Sequence, residues 1–218
     1  MGRYYPGAFI AYQPDTIFFV TITVIDWVDV FTREVYKNII AESLDFCRRK
    51  KGLCIYAWVL MTNHIHLIVS HDVNNEKLAQ TIGDFKKFTA KKIINAIIEN
   101  PQESRKQWML KHFDEENIKA NNDVSCSISK NNRSNGSEGS STHYHLWQRG
   151  YHSYCITNIK MMRQKIDYLH ANPIRAGIVD KPWEYRYCSY RNYCGQKGLI
   201  EIDFIDLGID DPTKPRQW

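Results

Sequence analysis

The sequence predicts an α+β protein built on one antiparallel sheet, with a further helix after it. Two observations carry that expectation. Segments with strand character and segments with helix character follow one another as strand, helix, strand, strand, helix, strand, helix. The composition, 43% hydrophobic and 24% charged, supplies enough apolar material for a core without disulfides or metal. At 218 residues the chain reads as a single domain over residues 1–218.

Each element has its own signal. Residues 17–24, IFFVTITV, are rich in β-branched and aromatic residues and read as the first strand. A helix follows from about Arg33 to Lys50, with Thr32 as its N-cap and Val35, Ile39, Leu44 and Phe46 as its apolar stripe. Arg48, Arg49, Lys50 and Lys51 favour its C-terminal end through the helix dipole, and Gly52 stops it. Leu53 to Leu60 and His64 to Ser70 form the next two strands, and the short Met61-Thr62-Asn63 connector makes them a hairpin. A long helix capped by Asn74 or Asn75 runs to about Glu99, with Leu78, Ile82, Phe85, Ile93 and Ile97 toward the core. In residues 118–143, fourteen of 26 residues are Asn, Ser or Gly and none is aromatic, so the segment reads as a flexible insertion within one domain. Tyr144 to Ile156 holds the fourth strand and its approach. Asn158 caps a third helix, about Ile159 to Ala171, ended by Asn172-Pro173. A tail with its own tyrosines and a polar end follows, departing from any recognisable pattern after about residue 191. The first six elements match the split β-α-β pattern of a ferredoxin-like sheet, one face of which is covered by two helices.

The net charge of +5 permits a polyanionic partner without demanding one. The start of the chain lacks the pattern of a signal peptide, and residues 17–25 are too short and too rich in Thr to span a bilayer. The six cysteines form no CxxC pair, which excludes a zinc ribbon and a thioredoxin motif. The expectation is a cytoplasmic protein whose cysteines are thiols.

The chemistry concentrates in Asn63-His64-Ile65-His66. On a strand, His64 and His66 share a face and Ile65, Leu67 and Val69 take the other. Two imidazoles about 7 Å apart along a strand can converge on one divalent cation. Two surface histidines would satisfy the triplet equally. A histidine-triad hydrolase needs a third His where Ile68 stands, and a two-histidine phosphoesterase needs a second such motif, which is missing. On the third helix Ile159, Met162, Ile166 and Leu169 form the core stripe, and Tyr168 and Asn172 are neighbours one turn apart, off the centre of that stripe. A phenol there suits a nucleophile beside a metal ligand; a packing tyrosine followed by a helix-ending Asn-Pro would also account for it.

Asn63-His-Ile-His66, Leu146-Trp-Gln-Arg-Gly-Tyr151, Asp167-Tyr-Leu-His-Ala-Asn-Pro173 and Ala176-Gly-Ile-Val179 occur in that order. The set resembles the single-tyrosine HUH transposases, most closely their REP-associated branch, over about residues 17–190 without the insertion. The resemblance implies that His64 and His66 are metal ligands, Tyr168 the nucleophile and Asn172 a polar third ligand. It further implies Mg²⁺ or Mn²⁺, single-stranded DNA cut near a folded hairpin, and a 5′-phosphotyrosine that a 3′-OH can attack to rejoin strands. A monomer or a homodimer that exchanges the tyrosine helix is compatible with it. Lys86, Lys87, Lys91 and Lys92, with Arg149 and Arg175, are candidates for phosphate contacts, though any one could line a solvated face. Trp147 and Tyr151 are candidates for base stacking or for the core, and Arg163 and Lys165 flank Tyr168. An HUH nickase of replication or conjugation shares this chemistry. A non-catalytic nucleic-acid-binding module on the same sheet does not, and the strands lack a basic aromatic ribonucleoprotein motif.

Overall fold

The computed structural model describes residues 4–5, 17–72, 75–114 and 144–205; the predicted insertion at 118–143 lies outside them. Strands are β1 (Tyr4–Tyr5), β2 (Phe18–Thr23), β3 (Leu53–Leu60), β4 (His64–His71), β5 (His152–Cys155) and β6 (Phe204–Ile205). Helices are α1 (Glu34–Lys50), α2 (Asn75–Glu99), α3 (Lys106–Phe113), α4 (Ile159–Arg175) and α5 (Tyr190–Tyr193). The main sheet has the order β3-β4-β2-β5 and every pairing in it is antiparallel. With β2 as the first strand of the unit this is the ferredoxin-like order, in which the third strand separates the first from the second. The two-residue strands β1 and β6 pair in parallel, apart from the main sheet.

The alternation of β4 divides the molecule. Ile65, Leu67 and Val69 are fully buried on the face that takes α1 and α2, whose inner sides are Tyr36, Ile40, Leu44 and Cys47 and Leu78, Ile82, Phe85, Ile93 and Ile97. His64 and His66 point to the other face, where α4 packs with Met162, Ile166 and Leu169 buried beneath it. Residues 187–189 extend that arrangement at the sheet edge. Leu60 N donates to Tyr187 O, Trp58 N to Ser189 Oγ and Ser189 N to Trp58 O, so the edge strand β3 is covered.

Several local expectations are corrected. The inner stripe of α1 is displaced by one residue: Val35 and Phe46 are about half exposed, while Tyr36 and Cys47 are buried. A stripe written in Val, Ile, Leu and Phe overlooked that Tyr and Cys also pack. Thr32 does not cap α1; its Oγ1 accepts from Arg105 instead, and Arg33 occupies the N-cap without a side-chain bond. The helix α3 was unforeseen because it buries only Met109 and Phe113, too few for a visible period. Asn172-Pro173 does not end α4, which continues to Arg175 with Pro173 inside it. Pro173 removes one donor, and the following residues close the helix with Ala176 N to Asn172 O, Gly177 N to Ile174 O and Ile178 N to Pro173 O. Asn158 does cap α4, accepting from Met161 N at 2.8 Å. The five described cysteines, Cys47, Cys54, Cys155, Cys188 and Cys194, are thiols. Among the described residues no helix is long and apolar enough to cross a membrane.

Candidate active site

Strand β4 projects His64 and His66 from one face, and their ring centroids stand 4.7 Å apart, edge to face. Each ring is held by its Nδ1. His66 faces Thr21 directly across the β2–β4 ladder, and Thr21 Oγ1 lies 2.8 Å from His66 Nδ1. His64 Nδ1 lies 2.7 Å from Asn63 Oδ1. The Asn63 amide nitrogen is committed as donor, to Trp27 O at 3.1 Å and Asp29 Oδ1 at 2.9 Å. Its oxygen therefore accepts, so His64 Nδ1 carries the proton and Nε2 the lone pair. Burial depresses both imidazole pKa values. For His66, burial is the main cause, His64 and Lys165 add to it, and the value falls to about 3. For His64, burial outweighs the opposing Asp29 carboxylate. At neutral pH the pair is uncharged, the form in which imidazole binds metal.

Helix α4 brings Tyr168 to the same place. Its ring centroid is 5.7 Å from that of His66 and 6.1 Å from that of Phe19. The residue is 38% exposed, so substrate can reach it. Two cations bracket the ring: Lys165 Nζ is 5.6 Å and Arg175 Cζ 5.4 Å from its centroid. Lys165 also lies 4.7 Å from the Tyr154 centroid and 5.5 Å from that of Phe19, a half-buried ammonium held among three aromatic faces. Asn172, one turn beyond Tyr168, donates Nδ2 to Tyr168 O at 2.8 Å. Its nitrogen is thus spent on the helix, and its oxygen is the atom it has to offer a cation. Among the described residues no three His, Cys, Asp or Glu side chains form a metal cluster. A cation here would draw on two imidazole nitrogens and an amide oxygen, a donor set compatible with Mg²⁺ or Mn²⁺ and completed by phosphate oxygen or water.

The remaining candidates fall in different settings. Lys87, Lys91 and Arg149 are exposed along a concave surface that Lys86, Asn95, His145 and Gln148 also line. Lys86 is half buried, and its Nζ donates to Gln148 O at 2.8 Å and also to Gly150 O. Burial lowers its pKa. Trp147 belongs to the core, with its ring near Phe31 and Phe85 and its Nε1 donating to Thr89 Oγ1. Tyr151 is half buried against that core. Lys165, rather than Arg163, is the cation over the tyrosine.

Three contributors had no role in the sequence reading. Thr21 was hidden because only the strand register sets it opposite His66. Asn63 stood inside the quoted motif, yet its bonds to Trp27 and Asp29 span more than 30 residues of chain. Trp27 sits in an unexpected backbone turn: Asp26 and Trp27 both have positive φ, at 51° and 56°. For a bulky residue that conformation costs about 1–3 kcal/mol, a reservoir often found at functional sites.

Residues 18–117 match the family profile described as "Transposase IS200 like". Over that stretch the chain is similar to the IS200-like transposases. The matched stretch contains His64 and His66 and ends before α4, so the place of Tyr168 is read from geometry. A solved structure described as "Structure of the REP associates tyrosine transposase bound to a REP hairpin" is similar to this chain over 95% of both chains, with a TM-score of 0.53 and 15% identity. At that identity the likeness speaks for the fold alone. No curated protein matches the chain.

Proposed function

We propose that this protein is a transposase that acts on single-stranded DNA beside a hairpin, through a covalent 5′-phosphotyrosine at Tyr168. One observation carries the reading: the Tyr168 ring, on a distant helix, stands beside the His66–His64 pair of the same chain. The solved relative is bound to a REP hairpin, which supports a hairpin as the substrate element.

In this reading the Tyr168 oxygen attacks a DNA phosphorus. The bond to the 3′ oxygen breaks, the phenol gives up its proton, and the departing strand gains one as a 3′-OH. Lys165 and Arg175, on either side of the nucleophile, hold the phosphate and offset its charge. His64 and His66 are held by Asn63 and Thr21 with their Nε2 atoms available, and Asn172 adds an oxygen. His64, His66 and Asn172 would hold a divalent cation, which would supply Lewis-acid stabilisation of the charge developing on the phosphate. Attack by a 3′-OH on the phosphotyrosine reverses the step and rejoins strands, so no nucleotide cofactor is required. The histidines and the tyrosine meet within one chain, so catalysis needs no exchange of α4 between copies.

The test is covalent capture. A hairpin oligonucleotide labelled on its downstream fragment remains attached to the wild-type protein on a denaturing gel with Mg²⁺ or Mn²⁺. Tyr168→Phe loses the adduct and still binds the DNA. An adduct that survives this substitution refutes Tyr168 as nucleophile; strand rejoining separates the transposase from a nickase.

A further inference from the structure

We propose that Trp27 is a base-stacking subsite, taking the unpaired nucleotide next to the scissile phosphate, and that Trp108 takes a base farther along the same strand. This rests on the reading of the site as a cutter of single-stranded DNA.

The position of Trp27 has no explanation in packing. Its side chain is 58% exposed, the most exposed large apolar side chain among the described residues. It nevertheless occupies a left-handed backbone conformation directly after Asp26, also left-handed, where glycine would fit without cost. Several contacts maintain the turn. Asn63 Nδ2 donates to Trp27 O, Trp27 N donates to Val24 O, and Asp26 Oδ2 lies 3.2 Å from His112 Nδ1 on α3. The outcome is an indole ring whose centroid is 5.8 Å from that of His64, set edge to face. The residue that presents the indole is also the one that orients His64, since Asn63 does both.

The aromatic surface continues outward. His112, joined to Asp26, stands 4.7 Å centroid to centroid from Trp108, itself about half exposed. Trp27 adjoins the imidazole pair, and its chain neighbour Asp26 ties His112, and through it Trp108, to the same turn.

Local charge determines which part of a nucleotide this surface receives. Asp26 and Asp29 are exposed and acidic, and Asn63 links Asp29 to the Trp27 carbonyl. Carboxylates repel a phosphate backbone. A base offers a π-face with no charge, and stacking tolerates any sequence. The phosphates then run on the side of Lys165 and Arg175, which bracket Tyr168. A protein partner would meet the same rings, and the experiment separates that outcome.

Hairpin oligonucleotides carrying 5-iododeoxyuridine at one flanking position at a time are irradiated with the full-length protein, wild type and Tyr168→Phe, and cross-linked peptides are identified by mass spectrometry. The expected result is a cross-link on Trp27 from a nucleotide beside the cut position, in both proteins. Trp27→Ala weakens binding of the unpaired flank about tenfold, and Trp27→Phe retains most of it. Trp27→Gly, which suits the positive φ, keeps or raises Tm and still shows the binding loss. Replacing that nucleotide by an abasic residue penalises the wild type and leaves Trp27→Ala unaffected. Absence of a Trp27 cross-link, or an equal abasic penalty in wild type and Trp27→Ala, overturns the proposal. Cross-linking and binding are read without cleavage. A protein that never forms the tyrosine adduct yet cross-links at Trp27 therefore refutes the catalytic reading and supports the subsite.

Discussion

Asn63 makes the sharpest demand on the site. Its single amide accepts from His64 Nδ1 and donates to Trp27 O and Asp29 Oδ1, while its backbone carbonyl accepts from Val24 N. Asn63→Ala removes the three side-chain bonds and leaves the backbone bond. The His64 ring then loses the acceptor that fixes its tautomer and orientation. Loss of such an outer partner weakens metal binding about 10–100-fold, equivalent to roughly 1–3 kcal/mol. The side chain is solvent-accessible and the backbone bond persists, so the cost to folding is about 1 kcal/mol. Asn63→Asp restores an acceptor for His64 but sets a carboxylate against Asp29, so it recovers part of the affinity. Titration of Mn²⁺ followed by calorimetry, beside Tm in the presence of chelator, separates the two effects. Asn63→Ala that binds Mn²⁺ as the wild type does, with its Tm unchanged, would refute the orienting role and the hydrogen-bond reasoning behind it.

Other consequences follow from particular contacts. Glu103 is buried and accepts from Arg33 Nε, Tyr36 Oη and Arg105 N, and these bonds hold its pKa below the ordinary carboxylate value against the opposing effect of burial. Glu103→Gln therefore costs about 2–3 kcal/mol at pH 7. Because the folded value is depressed, that difference persists above about pH 4.3 and closes as pH falls through the folded value, which urea titrations across pH 7 to 3 will reveal. Ser189→Ala leaves Trp58 N and His170 Nε2 without the hydroxyl they share, both deep under α4, and lowers unfolding free energy by about 2–4 kcal/mol in urea. Lys86→Met loses two carbonyl contacts at the 148–150 loop and reduces Tm, whereas Lys87→Ala leaves Tm unchanged, weakens DNA binding and flattens its logarithmic salt dependence by about 1. A Tm unaltered by Lys86→Met would show that those contacts contribute nothing.

The order of elements and the face assignment of β4 were legible in the sequence, because both depend on local periodicity. Residues 64–71 alternate so regularly that His64 and His66 on one face, and Ile65, Leu67 and Val69 on the other, need no tertiary information. The core stripes of α2 and α4 were equally plain, since each repeats over several turns. Signals one or two residues long were not: the displaced stripe of α1, the short α3 and the continuation of α4 through Pro173 all turn on contacts with distant segments. What the tertiary structure alone decided is convergence. A phenol more than 100 residues from the imidazoles reaches them because α4 lies across the β4 face, and Thr21 reaches His66 because of strand register. Lys165 rather than Arg163 faces the tyrosine, Trp147 is spent in the core, and Trp27 is thrust outward by a strained turn. Chemical type and periodicity are written along the chain. Distance between remote residues depends on the packing of whole elements, and no local pattern encodes it.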